Sequence, residues 1–139
     1  MDTKVINEQA KYWEKNFSTR PEMFGINPST AAIKAAKIFK KNKVKNIIEL
    51  GSGQGRDTLF FAKQGFRIHV LDYSKTALKD ISTKAKKLNI DNLISTKIFD
   101  IRKPLPENKS KFDACYSHML YCMALTNKEL IKLSKEIQR

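Results

Sequence analysis

Residues 46–56 read Asn46-Ile47-Ile48-Glu49-Leu50-Gly51-Ser52-Gly53-Gln54-Gly55-Arg56. A short apolar run, the signature of a buried strand, stops at a loop in which every second residue is glycine. Three of the chain's five glycines stand there. Behind the loop, residues 57–64 read as a helix that Gly65 ends. Glycines between a strand and a helix let a ligand approach the backbone closely, and the helix N-terminus offers unpaired N–H groups to polar ligand atoms. The bland reading is a tight strand-to-helix turn with no ligand.

Working outward, Phe66 to Leu71 reads as a second strand with Phe66, Ile68 and Val70 on one face. Ser74 is placed to cap a helix whose Ala77, Leu78, Ile81, Ala85 and Leu88 form an apolar stripe. Leu93 to Phe99 reads as a third strand, and its Ser95 and Lys97 suit a sheet edge. Phe112 to Tyr116 reads as a fourth strand. Thr126 opens a last helix, with Glu129 completing a capping box. Upstream, Ile6, Ala10, Trp13 and Phe17 share one face of a helix over 3–17, and Ser29 or Thr30 caps a helix carrying Ala32, Ala36 and Phe39 inward. Residues 1–29 read as an N-terminal helix and lid segment, and 30–139 as one domain. Strand and helix alternate, which predicts an α/β fold with a parallel sheet covered by helices on both faces.

The chain's 139 residues suffice for one core, and 41% hydrophobic with 29% charged residues excludes a disordered tail. The net charge of +13 excludes an acidic solvating chain and favours an anionic partner. Twenty-two of the basic residues are Lys and only five Arg. Readers of DNA bases favour guanidinium, so a lysine-coated surface is the better description. Cys115 and Cys122 form no disulfide framework or metal set and read as buried packing. The N-terminus lacks a signal-peptide core, and no apolar run approaches a membrane span. The expectation is a cytoplasmic protein without a membrane partner.

The loop's spacing narrows the ligand. A dinucleotide fingerprint needs glycine at position 56, where Arg56 stands, and a phosphate loop needs Gly-Lys-Ser/Thr, where Gly55-Arg56-Asp57 stands. Glu49, two residues before Gly51, opposes phosphate and favours a cationic ligand. Asp72 stands about 20 residues downstream, at the spacing of a carboxylate that binds a ribose hydroxyl pair. Asp100 ends the third strand in the same way. Singly, each acid fits a helix cap or solvated loop end as well as a site. Together they stand at the carboxyl ends of three strands, where open α/β sheets bind ligands.

These residues resemble the class I S-adenosylmethionine-dependent methyltransferases over about residues 30–125. The matching stretches are Ile47 to Gly55, Val70-Leu71-Asp72-Tyr73-Ser74, Phe99-Asp100-Ile101 and Phe112 to Ser117. Tyr12-Trp13 to Pro28-Ser29 resembles the N-terminal segment of small-molecule members, including the thiopurine and tellurite-resistance relatives. The resemblance implies S-adenosylmethionine as cofactor and a small-molecule methyl acceptor. It implies that Gly51, Ser52, Gly53 and Gly55 pass close to the methionine part, which Glu49 supports. Asp72 would accept from both ribose hydroxyls and Tyr73 would pack on adenine. Asp100 would accept from the adenine amino group beside Ile101, and Ser117 would meet the cofactor's amino group. His118 is the candidate general base, with a structural histidine as its other reading. Trp13, Phe17, Met23 and Phe24 read equally as an acceptor pocket or as the apolar side of a lid.

The resemblance further implies a Rossmann-like sheet of order 3-2-1-4, short of the family's last three strands, hence a C-terminally truncated chain of uncertain activity. The fourth strand would then be an unguarded edge that pairs two chains. Two other function classes fit the charge: a methyltransferase acting on RNA or another polyanion, and a basic nucleic-acid-binding module without catalysis.

Overall fold

The computed structural model describes residues 3–106 and 111–139, without the side chains of residues 3 and 5–7. The expectation for the Ile6 side chain lies outside the described residues. The order is α1 (Thr3–Thr19), α2 (Thr30–Lys41), β1 (Asn46–Leu50), α3 (Arg56–Lys63), β2 (Arg67–Asp72), α4 (Lys75–Lys87), β3 (Ile94–Ile98), β4 (Ala114–Ser117) and α5 (Asn127–Gln138). The four strands form one parallel sheet, as the alternation predicts, in the order β3-β2-β1-β4 that the resemblance implies.

Alternation along the strands builds two apolar layers. Ile47 of β1, Ile68 and Val70 of β2 and Tyr116 of β4 share one layer with Ala32 and Ala36 of α2, Phe61 of α3 and Ile81 of α4. Ile48, Leu50 and Leu71 face the other layer with Leu120 and Leu133, where α5 packs. Three helices therefore cover one face and α5 the other. The expected stripe on α4 holds through Ala77, Leu78, Ile81 and Ala85, but Leu88 is exposed. It is the C-cap residue, with φ −93° and ψ 0°, so the helix ends before its side chain reaches the core.

Capping follows the sequence closely. The hydroxyls of Ser29 and Ser74 accept from the N–H groups of Ala32 and Ala77, and the Thr126–Glu129 capping box is complete. β4 starts two residues later than expected. The Asp113 carboxylate accepts from the N–H groups of Lys45 and Asn46 just ahead of β1, and Phe112 stacks on the His69 ring instead of extending the ladder. Cys115 packs against the second layer, but Cys122 is exposed, with its thiol on the Met119 carbonyl. It lies beyond β4, outside the sheet that would have buried it. Among the described residues no three potential ligands cluster for a metal, and no helix is long and apolar enough to cross a membrane.

Gly55 precedes α3 with φ 86°, and a Cβ there would stand 2.4 Å from Ile81 Cγ1. Backbone strain and overpacking both oppose a side chain. Gly55→Ala is expected to destabilise the chain by about 2–3 kcal/mol, read as a lower urea midpoint. An unchanged midpoint would mean that the loop tolerates a side chain.

Candidate functional site

The strand ends converge on one opening. An open cleft is bordered by Glu49, the loop from Gly51 to Gly55, Asp72 and Tyr73, and by Trp13, Phe17 and Phe24 from the N-terminal segment. A recess shares Gly51, Asp72, Tyr73 and Leu120 with it and extends to Phe99, Asp100 and Ile101. The carboxyl ends of β1, β2 and β3 thus meet where an open α/β sheet binds ligands.

Asp72, only 4% exposed, holds the loop in place. One of its oxygens accepts from Gly53 N–H at 2.9 Å and the other from Ser74 N–H at 2.8 Å. A carboxylate has about four lone-pair sites, so each oxygen retains capacity for a hydroxyl donor. Burial, opposed by the N–H bonds, pushes this carboxyl up to about 6.

Glu49 is 2% exposed and accepts from the Thr58 hydroxyl of α3. Burial first, and then the charges of Asp57 and Asp72, push its carboxyl up to about 8. The negative charge expected from the sequence is therefore opposed by the site. The strand end that places Glu49 beside the loop also removes it from water, which disfavours its ionised form. Selection against phosphate then rests on the loop's spacing more than on this carboxyl.

Asp100 stands two residues past the end of β3, not at its tip. Arg102 from the same turn pairs with it at 2.6 Å and also donates its backbone N–H. Although burial opposes it, these bonds hold the carboxyl below its ordinary range. An adenine amino group would have to share Asp100 with Arg102. Ile101 lines the recess as expected. Ser117 does not line the cleft: it ends β4 in register with Leu50, and His118, Met119 and Leu120 border the opening instead. Met119 has φ 59°, a sparsely populated conformation of the kind that clusters at functional sites.

The N-terminal segment closes over the loop. Trp13 stacks on Phe17 at 5.5 Å and lies 6.2 Å from Phe24, and these three aromatics line the cleft. Met23 does not; its backbone N–H donates to the Gln54 side chain. A Cβ at Gly53 would come within 3.3 Å of the Phe17 ring, so the glycine lets α1 pack closely on the loop.

Several residues that position the site were not singled out in the sequence. Gln54, buried, donates to the carbonyls of Phe17 and Arg20 while accepting from Met23. Glu14 of α1 accepts from the hydroxyls of Ser74 and Thr76 at the start of α4, which stitches α1 to a helix N-terminus. Burial acts against these bonds, which still hold the Glu14 carboxyl below its ordinary range. Asp57, 5% exposed, accepts from Ser29 N–H, Ser29 Oγ and Tyr116 Oη, each at 2.7 Å. Its place in the first turn of α3 was a readable signal, because carboxylates favour that position. The partners of Gln54 and Glu14 lie up to 62 residues away, and no local pattern marks them.

The raised carboxyls carry a pH signature. Glu49 binds its proton more tightly in the folded chain, so stability is fully present below the ordinary glutamate range near 4.5 and is lost as pH rises towards about 8. Asp72 adds a fall of the same sign towards about 6. Glu49→Gln, which keeps an acceptor for Thr58, is expected to flatten the decline between about pH 6 and 8. Urea midpoints at the two pH values read this; parallel profiles for the two proteins would place the Glu49 carboxyl in water.

Solved structures share this fold. The solved structures include TehB from Haemophilus influenzae (23% identity, TM-score 0.68, 91% of this chain and 41% of that one). They also include a proposed S-adenosyl-L-methionine-dependent methyltransferase of Methanococcus maripaludis (20%, 0.67, 99% and 61%). A third is Haemonchus contortus phosphoethanolamine N-methyltransferase 1, solved with phosphoethanolamine and S-adenosylhomocysteine (19%, 0.69, 100% and 30%). The chain spans less than two thirds of each, and at these identities they show the fold. No curated protein matches significantly. The family described as methyltransferase domain matches residues 47–139, from β1 through α5, and the chain therefore belongs to the methyltransferase domain family.

Proposed function

We propose that the chain binds S-adenosylmethionine across the cleft and its recess and serves methyl transfer to a small-molecule acceptor. The observation that carries this reading is the continuity of the opening: Gly51, Asp72, Tyr73 and Leu120 border both parts. The donor set fits the cofactor. Asp72 keeps acceptor capacity for two ribose hydroxyls, Tyr73 and Ile101 offer apolar surface to adenine, and Glu49 stands by the loop where the methionine part would lie. The bound cofactor supplies a methyl group on a sulfonium, an excellent leaving group. The protein's share is alignment and exclusion of water, for which the aromatic lid of Trp13, Phe17 and Phe24 is suited. Division into a lid, residues 1–29, and a cofactor-binding domain, residues 30–139, is part of this reading.

The apolar, aromatic wall favours a small molecule over a polyanion. Many lysines have a structural role besides: Lys40 and Lys41, Lys63, and Lys84, Lys86 and Lys87 fill the last turns of α2, α3 and α4, where cations favour the helix dipole. Two free thiols fit a reducing cytoplasm. β4 lies at one edge of the described sheet, and we retain pairing of two chains along it as a secondary proposal. Sedimentation at physiological ionic strength tests it, a monomer at micromolar concentration counting against it.

Calorimetry with S-adenosylmethionine and S-adenosylhomocysteine tests the main reading. Asp72→Ala is expected to weaken both by about 1–3 kcal/mol, with circular dichroism confirming the fold; an unchanged Kd would remove Asp72 from the site. A cationic ligand beside Glu49 should ionise that carboxyl. Binding at pH 7 should therefore release protons, seen as heats that vary with the buffer's ionisation enthalpy. Buffer-independent heats would place the ammonium and sulfonium away from Glu49.

A further inference from the structure

We infer that His118 is the general base for the methyl acceptor and that Asp57 is its positioning residue. This rests on the proposed methyl transfer and narrows the acceptor to one whose nucleophilic atom carries a proton.

His118 follows β4 directly and borders the cleft with Glu49 and Gly51. Its Nδ1 lies 3.8 Å from Asp57 Oδ2; the histidine side chain is 34% exposed and the carboxylate 7%. Both residues line the cleft, His118 as the more exposed of the two. Asp57 has little freedom. Its Oδ1 accepts from the backbone of Ser29, and its Oδ2 from the hydroxyls of Ser29 and Tyr116. Tyr116 is itself fixed in β4, edge-on to Phe61 at 4.8 Å. Burial pushes its phenol well above the ordinary range, which keeps it a donor to Asp57. Position in the first turn of α3 favours the carboxylate's negative charge.

A fixed carboxylate on the Nδ1 side of an imidazole selects one tautomer: the proton sits on Nδ1 and the lone pair on Nε2. The 3.8 Å separation exceeds a hydrogen bond and Oδ2 already accepts from two hydroxyls, so the carboxylate acts on the ring through its charge. In the reaction, the acceptor's heteroatom bonds to the methyl carbon. The electron pair of the broken carbon–sulfur bond stays on sulfur. The acceptor's proton moves to His118 Nε2, Asp57 stabilises the imidazolium, and water later removes the proton. An acceptor that has no proton to lose would not need this pair.

The chain has two histidines, so one can report on the other. His69, whose Nδ1 is 2.7 Å from Ser95 Oγ, lies in β2 away from the cleft and serves as reference. Nitrogen-15 NMR at a pH where the rings are neutral is expected to show His118 with Nδ1–H exceeding Nε2–H by at least about fivefold. Asp57→Asn should abolish that excess, whereas Tyr116→Phe, which leaves Asp57 in place, should keep it. Diethyl pyrocarbonate, a probe of free imidazole nitrogen, should modify His118 at least about tenfold faster than His69. Predominant Nε2–H in the unmodified protein, an excess that survives in folded Asp57→Asn, or slower modification than His69 would each overturn the assignment. Should Asp57→Asn not fold, the unmodified protein and Tyr116→Phe decide the matter. Titration of S-adenosylhomocysteine into the unmodified protein, followed at the Gly53 amide, reads the cofactor proposal separately: no binding there would remove methyl transfer without altering the tautomer result.

Discussion

The Asp72 carboxylate accepts the Gly53 N–H through one oxygen and the Ser74 N–H through the other. Through this one side chain the end of β2 sets both the glycine loop after β1 and the start of α4. The geometry follows from the parallel sheet. Adjacent strands end at the same level, so the turns that leave them lie side by side and share their polar groups. The Gly51 N–H, donating to Leu71 O at 2.8 Å, extends the ladder one residue past β1 and fixes the height of the loop. An acid buried at this junction is costly unless its oxygens are bonded, and here the backbone bonds it.

The same junction receives the N-terminal segment. Gln54 within the loop holds the carbonyls that end α1, and Glu14 caps α4 from outside. The loop, α1 and the start of α4 are thus joined by side chains whose partners are backbone groups or short hydroxyls. Such bonds leave little choice of position. The aromatics Trp13, Phe17 and Phe24 are thereby set over the glycines, close enough that a side chain at Gly53 would meet Phe17.

The cleft draws most of its acids from the apolar layers that make the fold. Glu49 points into the layer that contains Phe61 and Tyr116, since it alternates with Ile48 and Leu50 along β1. Burial there raises its carboxyl, which also accepts from the Thr58 hydroxyl. Asp57 is buried to a similar degree but receives three donors. Two carboxyls on neighbouring elements thus take different roles because their donors differ.

The strand order followed from the resemblance to a known family, while the sequence alone determined the α/β class, the caps at Ser29, Ser74 and Thr126, and the glycine loop between a strand and a helix. Each rests on local chemistry: apolar periodicity, hydroxyls before helices, and glycines between a strand and a helix. It also placed Asp72 and Tyr73, because the distance from one strand end to the next is set by the length of the intervening helix. Tertiary structure decided the rest. The pairing of Asp100 with Arg102 depends on how a turn folds back. The departure of Ser117 from the cleft depends on where β4 ends, and the exposure of Cys122 and Leu88 on where neighbouring elements stop. Gln54, Glu14 and the Asp57–Tyr116–His118 group became visible only in space. A hydrogen bond between residues 59 apart, as from Tyr116 to Asp57, leaves no period or spacing in the chain, because its geometry is fixed by the packing of a strand against a helix.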